Sequence, residues 1–198
     1  MTIGPMKRIN LIFAVVWLVL MSTSLQADQD GLAGLMARLA KHPQRDAFFI
    51  EKQHASYLES PLTTQGILRA IPPDRLEKII TVPESIKQVI VGNRIIQSQN
   101  GVILREVSLT EIPVLAITIN TLRAVVFGNI KYLGKTFSQT FENHDHHWSL
   151  LLVPIKQQVK DQIKSIRVSG VNDKISEFIL TQSNGDFTTT RLYEHHIK

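Results

Sequence analysis

The densest run of titratable side chains in this 198-residue chain is His144-Asp145-His146-His147. Imidazole and carboxylate are ligands for zinc, nickel or copper, and a turn could bring two of them together. Adjacent strand residues point to opposite faces, however, and no distant partner is evident. The run therefore reads as a solvated turn that gains charge in mild acid, with no metal ion expected. His195-His196 reads as part of a C-terminal tail. Asp46, Glu51, Asp74 and Glu77 each fit turn or surface positions, and no nucleophile elbow, phosphate loop or spaced carboxylate pair stands out. The chain has no cysteine, which removes disulfides, thiolate metal sites and thiol nucleophiles together. No cofactor and no enzymatic activity are expected.

Charge narrows the partners. The balance of 22 Lys and Arg against 17 Asp and Glu is mildly basic and scattered. A nucleic-acid surface needs clustered cations with interleaved aromatics, and none is present. A basic surface of this kind suits acidic partners or anionic lipid headgroups.

The N-terminus supplies an address. Lys7 and Arg8 precede an unbroken apolar run over residues 11–21, followed by a polar stretch ending in Leu25-Gln26-Ala27. The run is too short for the roughly 20 residues of a membrane-spanning helix. It reads as a signal peptide over residues 1–27, cleaved after Ala27. Without a cysteine at the new N-terminus a lipoprotein signal is excluded. The expectation is an exported periplasmic protein, with residues 28–198 forming one domain.

The elements come next. Leu32, Leu35, Met36 and Leu39 share one helical face, with Asp30 as N-cap and Pro43 as stop. Strands are expected at 46–56, 62–71, 75–82, 86–91, 93–98 and 102–109, separated by turn residues such as Gly92-Asn93 and Asn100-Gly101. Ile112, Leu115, Ala116, Ile119, Leu122 and Val126 mark a second helix over 112–126, stopped by Gly128-Asn129. Its other face (Thr118, Asn120, Thr121, Arg123) is only weakly polar, which predicts cover on more than one side. Strands at 136–143, 146–153, 163–169, 174–182 and 186–193 close the chain. The fold class is α+β, dominated by one large curved antiparallel sheet. Leu76, Ile80 and Val82 share a face with Lys78 among them, and Trp148, Leu150 and Leu152 share another. Two helices are few for so large a sheet, which favours a half-open barrel around a cavity with a helical lid.

Several stretches then carry a family resemblance. Phe49-Ile50-Glu51-Lys52, Leu58-Glu59-Ser60-Pro61-Leu62, Gly66-Ile67-Leu68 and Pro73-Asp74-Arg75-Leu76-Glu77 come first. Phe137-Ser138-Gln139-Thr140-Phe141, Trp148-Ser149-Leu150-Leu151-Leu152-Val153-Pro154 and Asn184-Gly185-Asp186 follow in order. Together they resemble the LolA-like outer-membrane lipoprotein carriers, in a divergent branch, over nearly all of residues 30–193. The resemblance implies an unclosed β-barrel with a helical lid, and a hydrophobic cavity that receives acyl chains. It implies a periplasmic carrier of acylated cargo, lipoprotein or glycolipid, moving from an inner-membrane exporter to an outer-membrane acceptor. A monomer is expected. Where such carriers have an arginine before the proline of the third strand, this chain has Pro72, which leaves Arg75 as a candidate lid latch.

On this reading the cavity wall is Leu35, Met36, Leu39, Leu115, Ile119 and Leu122 from the helices, with Leu68, Leu76, Ile80, Trp148 and Leu150 from the strands. Exposing a sixteen-carbon chain to water costs on the order of 12 kcal/mol, so such cargo needs a container. Two alternatives make different demands. An enzyme acting on a hydrophobic substrate needs a polar pair inside the cavity, Arg75 with Glu77 or Glu106. An envelope docking module needs no ligand cavity at all.

Overall fold

Left-handed backbone at the turns sets the strand pairing. Asn100 (φ 50°) and Gly101 (φ 80°) close one hairpin, in a conformation that asparagine and glycine tolerate best. The computed structural model describes residues 31–41 and 46–194. The expected signal segment, Asp30, Pro43 and His195-His196 lie outside the described residues.

The chain opens with α1 (Leu32–Lys41) and continues as a meander of six strands. These are β1 (Asp46–His54), β2 (Leu62–Ile71), β3 (Arg75–Val82), β4 (Ile86–Val91), β5 (Arg94–Gln99) and β6 (Val102–Ser108). A short 3₁₀ turn, Leu109–Glu111, leads into α2 (Pro113–Val126) and α3 (Ile130–Thr136). A second meander follows: β7 (Phe137–His144), β8 (His147–Pro154), the one-turn α4 (Gln157–Lys160), β9 (Ile163–Val171), β10 (Lys174–Gln182) and β11 (Phe187–Glu194).

All eleven strands form one antiparallel sheet in the order β6-β5-β4-β3-β2-β1-β11-β10-β9-β8-β7. First and last strands therefore meet in the middle, with Phe49 opposite Leu192. The sheet does not close, since β6 and β7 are its two edges. The chain must travel from one edge to the other between β6 and β7, and α2 and α3 make that journey. Topology thus lays these helices across the open side of the sheet, as the expected lid requires.

The two helices at the ends of the lid do different things. Leu35, Met36 and Leu39 of α1 are 1–2% exposed and share a packed cluster with Trp148, Leu150, Leu152, Ile166 and Val168. Burying side chains of this size is worth roughly 1.5–3 kcal/mol each. Trp148 lies against Gly170, where an added Cβ would strike its ring, and its indole N–H donates to the Asn172 carbonyl at 2.9 Å. Gly128 (φ +71°) ends α2, and α1 passes so close that a Cβ there would meet Ala40 at 2.7 Å.

α2 is covered on both sides, as its composition predicts. Ile119, Thr121, Ala124, Val125 and Val126 are all buried. Thr121 can be fully buried because its hydroxyl donates to the Ile117 carbonyl at 2.7 Å. Pro113 begins the helix, where its missing N–H is harmless. α3 is not announced by the sequence: Asn129, which fits a stop signal for α2, accepts the Tyr132 N–H at 3.1 Å and starts a new helix.

Candidate functional site

A cavity of about 410 Å³ lies between α2 and the eight strands running from β6 through β1 to β10. Leu115, Ile119, Leu122 and Val126 of α2 roof it. Leu68, Leu76, Ile90, Ile95 and Val107 face them from the sheet, with Phe178 and Leu180 at the far wall. These strand residues share a face by register, Leu76 pairing with Ile90, Ile90 with Ile95 and Ile95 with Val107.

One step along the same face, the lining changes character. Lys78 pairs with Gln88, Gln88 with Gln97 and Gln97 with Arg105, so four polar side chains cross four adjacent strands in a row. All four line the cavity. At the other end of the row Lys78 Nζ reaches Glu51 Oε1 at 2.6 Å, and the Thr190 hydroxyl donates to Glu51 Oε2 at 3.0 Å. Lys78 stands on β3 and Glu51 on β1, so the lysine crosses β2 at Gly66, the bare position between Leu68 and Thr64. Its ammonium also sits 5.0 Å from the centre of the Phe49 ring, a favourable cation–π distance. The lysine that interrupts an apolar face in the sequence therefore has a partner inside the cavity. The cavity is an apolar chamber bordered by a polar row.

The opposite face of the same strands carries a separate ionic network. Arg69 binds Asp46 at 2.9 Å and lies 3.8 Å from Glu77, which also takes Arg75 at 2.6 Å and Lys87 at 3.3 Å. Glu77 is only 4% exposed. Burial pushes its carboxyl up, but the Arg75 and Lys87 donors outweigh that and hold it below the ordinary glutamate range. Strand alternation puts Glu77 on the face away from Leu76 and Lys78. The pair considered for catalysis, Arg75 with Glu77, thus exists; Glu77 borders the cavity, but its carboxylate is held by Arg75 and Lys87, while Glu106 is exposed and paired with Arg94 at 3.0 Å.

The other sequence candidates divide in two. Leu68, Leu76, Leu115, Ile119 and Leu122 line the cavity. Leu35, Met36, Leu39, Trp148 and Leu150 belong to the packed core under α1, where Leu35 and Trp148 also border a second, smaller cavity of about 280 Å³ with Arg38, Asp145 and Asp173. Ile80 is buried on the cavity face one step past Lys78, outside the lining. Arg75, considered as a latch, donates to Glu77 and not to a helix. An arginine that ties a helix to the sheet is Arg123 of α2: its Nη1 donates to the Gly92 carbonyl in the β4–β5 turn at 2.8 Å. A charged residue in an otherwise apolar helix was the signal for it. Among the described residues no group of three potential metal ligands converges at 144–147 or elsewhere.

Comparison with curated protein sequences finds no match. Among solved structures the chain is similar to a LolA superfamily protein, NE2245, from Nitrosomonas europaea (9% identity, TM-score 0.44, 83% of this chain and 94% of that one). It is also similar to a Pseudomonas aeruginosa MucA/MucB complex structure (10%, 0.46, 82% and 56%). LprF from Mycobacterium bovis is a third (9%, 0.39, 84% and 94%). At such distances these likenesses carry nothing about ligands. The family model described as outer membrane lipoprotein carrier protein LolA-like, by contrast, matches residues 23–194, and the chain belongs to that family.

Proposed function

We propose that this protein is a periplasmic carrier that shelters acyl chains of a lipoprotein or glycolipid on the way from the inner to the outer membrane. The observation that carries the reading is the cavity of about 410 Å³ roofed by Leu115, Ile119 and Leu122. That volume falls within the roughly 300–1,000 Å³ of sites that enclose small ligands. Each CH₂ moved from water into it is worth about 0.8 kcal/mol, which makes an otherwise insoluble cargo transportable. Release requires that the roof move, and α2 is fastened to the β4–β5 turn by a side chain-to-backbone hydrogen bond from Arg123.

On this reading residues 1–27 direct export, residues 28–198 act as a single carrier domain and monomer, and an exporter and an acceptor hand the cargo on. The chemistry needed is binding and release, without catalysis. Native mass spectrometry with lipid extraction, on protein purified from the periplasm, tests it. An acylated species should co-purify, and its headgroup distinguishes lipoprotein from glycolipid. Protein that is empty and also fails to bind a fluorescent fatty acid would leave the docking-module reading in its place.

A further inference from the structure

We propose that the ligand of this cavity is an amphiphile with an anionic headgroup, a carboxylate or a phosphate, held by Gln88, Gln97 and Arg105. The proposal rests on the carrier reading of the same cavity and adds which end of the ligand goes where.

Three observations support it. First, the three side chains are consecutive members of one row on β4, β5 and β6, strands that lie about 4.8 Å apart, so their donors can converge on one small group. Second, their donors are unused. Among the described residues Arg105 has no ion-pair partner, and neither amide of Gln88 or Gln97 has a side-chain hydrogen bond. At the other end of the row Lys78 and Glu51 cancel each other, and Glu106, next in sequence to Arg105, is taken by Arg94. The net charge of the row is therefore the single positive charge of Arg105.

Third, the row divides two environments. On one side lies the apolar chamber of Leu76, Ile90 and Ile95 beneath α2. On the other, the β5–β6 hairpin ends at the Asn100-Gly101 turn on the sheet edge, and Arg105 itself is exposed. A chain can lie in the chamber while its charged end stays at the solvent-facing margin, so no charge need be buried. A guanidinium offers two parallel N–H groups to a carboxylate or phosphate, and flanking amides fill the remaining oxygens.

The test is a displacement titration at neutral pH with dodecanoate, dodecyl phosphate and methyl dodecanoate, and with inorganic phosphate as the chainless control. The proteins are the wild type, Arg105→Gln and Arg105→Lys. Wild type should bind the two anions about tenfold more tightly than the ester, the scale of one charge-assisted hydrogen bond. Arg105→Gln should remove the preference for the anions over the ester, and Arg105→Lys should restore part of it. Equal affinity for anions and ester in the wild type, or a preference that survives Arg105→Gln, overturns the headgroup assignment and leaves the carrier reading standing. Displacement by phosphate alone would make this a free-anion site and overturn the amphiphile. If no chain-bearing compound binds, the cavity reading falls as well.

Discussion

Arg123 and Gly92 fasten the lid to the sheet. The arginine rises from the last turn of α2, and its Nη1 donates to the Gly92 carbonyl at 2.8 Å, while the Gly92 N–H is held by Asp74 at 3.0 Å. Its Nε and Nη2 are buried without partners, and burial lowers the guanidinium pKa against the pull of Asp74. The clasp thus sets a hydrogen bond from a charged group, worth about 1.5–3 kcal/mol, against the cost of burying that group.

Replacing Arg123 by Met keeps an unbranched apolar stem and removes both contributions. Global stability should change by less than about 1 kcal/mol, because the two contributions offset each other. The lid should open more often, raising the association and dissociation rates of a fluorescent fatty acid several-fold in stopped-flow measurements. Unchanged rates would mean that the Gly92 contact does not hold the lid.

Glu77 makes stability depend on acid. Its folded pKa lies below the ordinary glutamate value, so its contribution is complete above about pH 4.3 and is lost as pH falls through the folded value. Glu77→Gln should lower stability by about 1–2 kcal/mol at neutral pH, because its cationic partners are partly exposed. The wild-type and variant urea midpoints should converge as pH is lowered. Parallel midpoints across that range would contradict the assignment.

Gly66 is a position where no other residue fits. A Cβ there would run into the Ile79 carbonyl, at the irregularity where β2 and β3 shift register. Gly66→Ala should cost about 2–4 kcal/mol, read as a lowered urea midpoint, since backbone must move to make room.

Core and cavity should respond differently to truncation. Leu150 is fully buried beneath α1, and Leu150→Ala should lose about 2–5 kcal/mol of stability. Leu122 faces the existing cavity, so Leu122→Ala should lose less stability and weaken fatty-acid binding instead. Equal stability losses with unaltered binding would argue that the cavity is ordinary core.

Much of this architecture can be read in the residues. Alternation and turn chemistry locate every strand, because a half-buried strand and a hairpin turn write local patterns. α3 escapes because seven residues containing Gly134 carry little periodicity, and Asn129 serves equally as a stop or an N-cap. The apolar faces of α1 and β8 are legible, but what lies opposite them is not. Leu39 and Leu150 read as well for a cavity as Leu122 does. Whether they meet atoms or space depends on where the β6-to-β7 crossing lays α2, a property of the whole chain. Lys78 reads as an interruption, since its partner Glu51 is 27 residues away and on a strand that is not its neighbour.

The most direct test of the account is a methyl-resolved NMR titration with a fatty acid. The account predicts saturable shifts at Leu68, Leu76, Leu115 and Leu122, with Leu35, Leu39 and Leu150 left in place. Shifts centred on the α1 residues, or no saturable shift at all, would contradict a ligand cavity beneath α2.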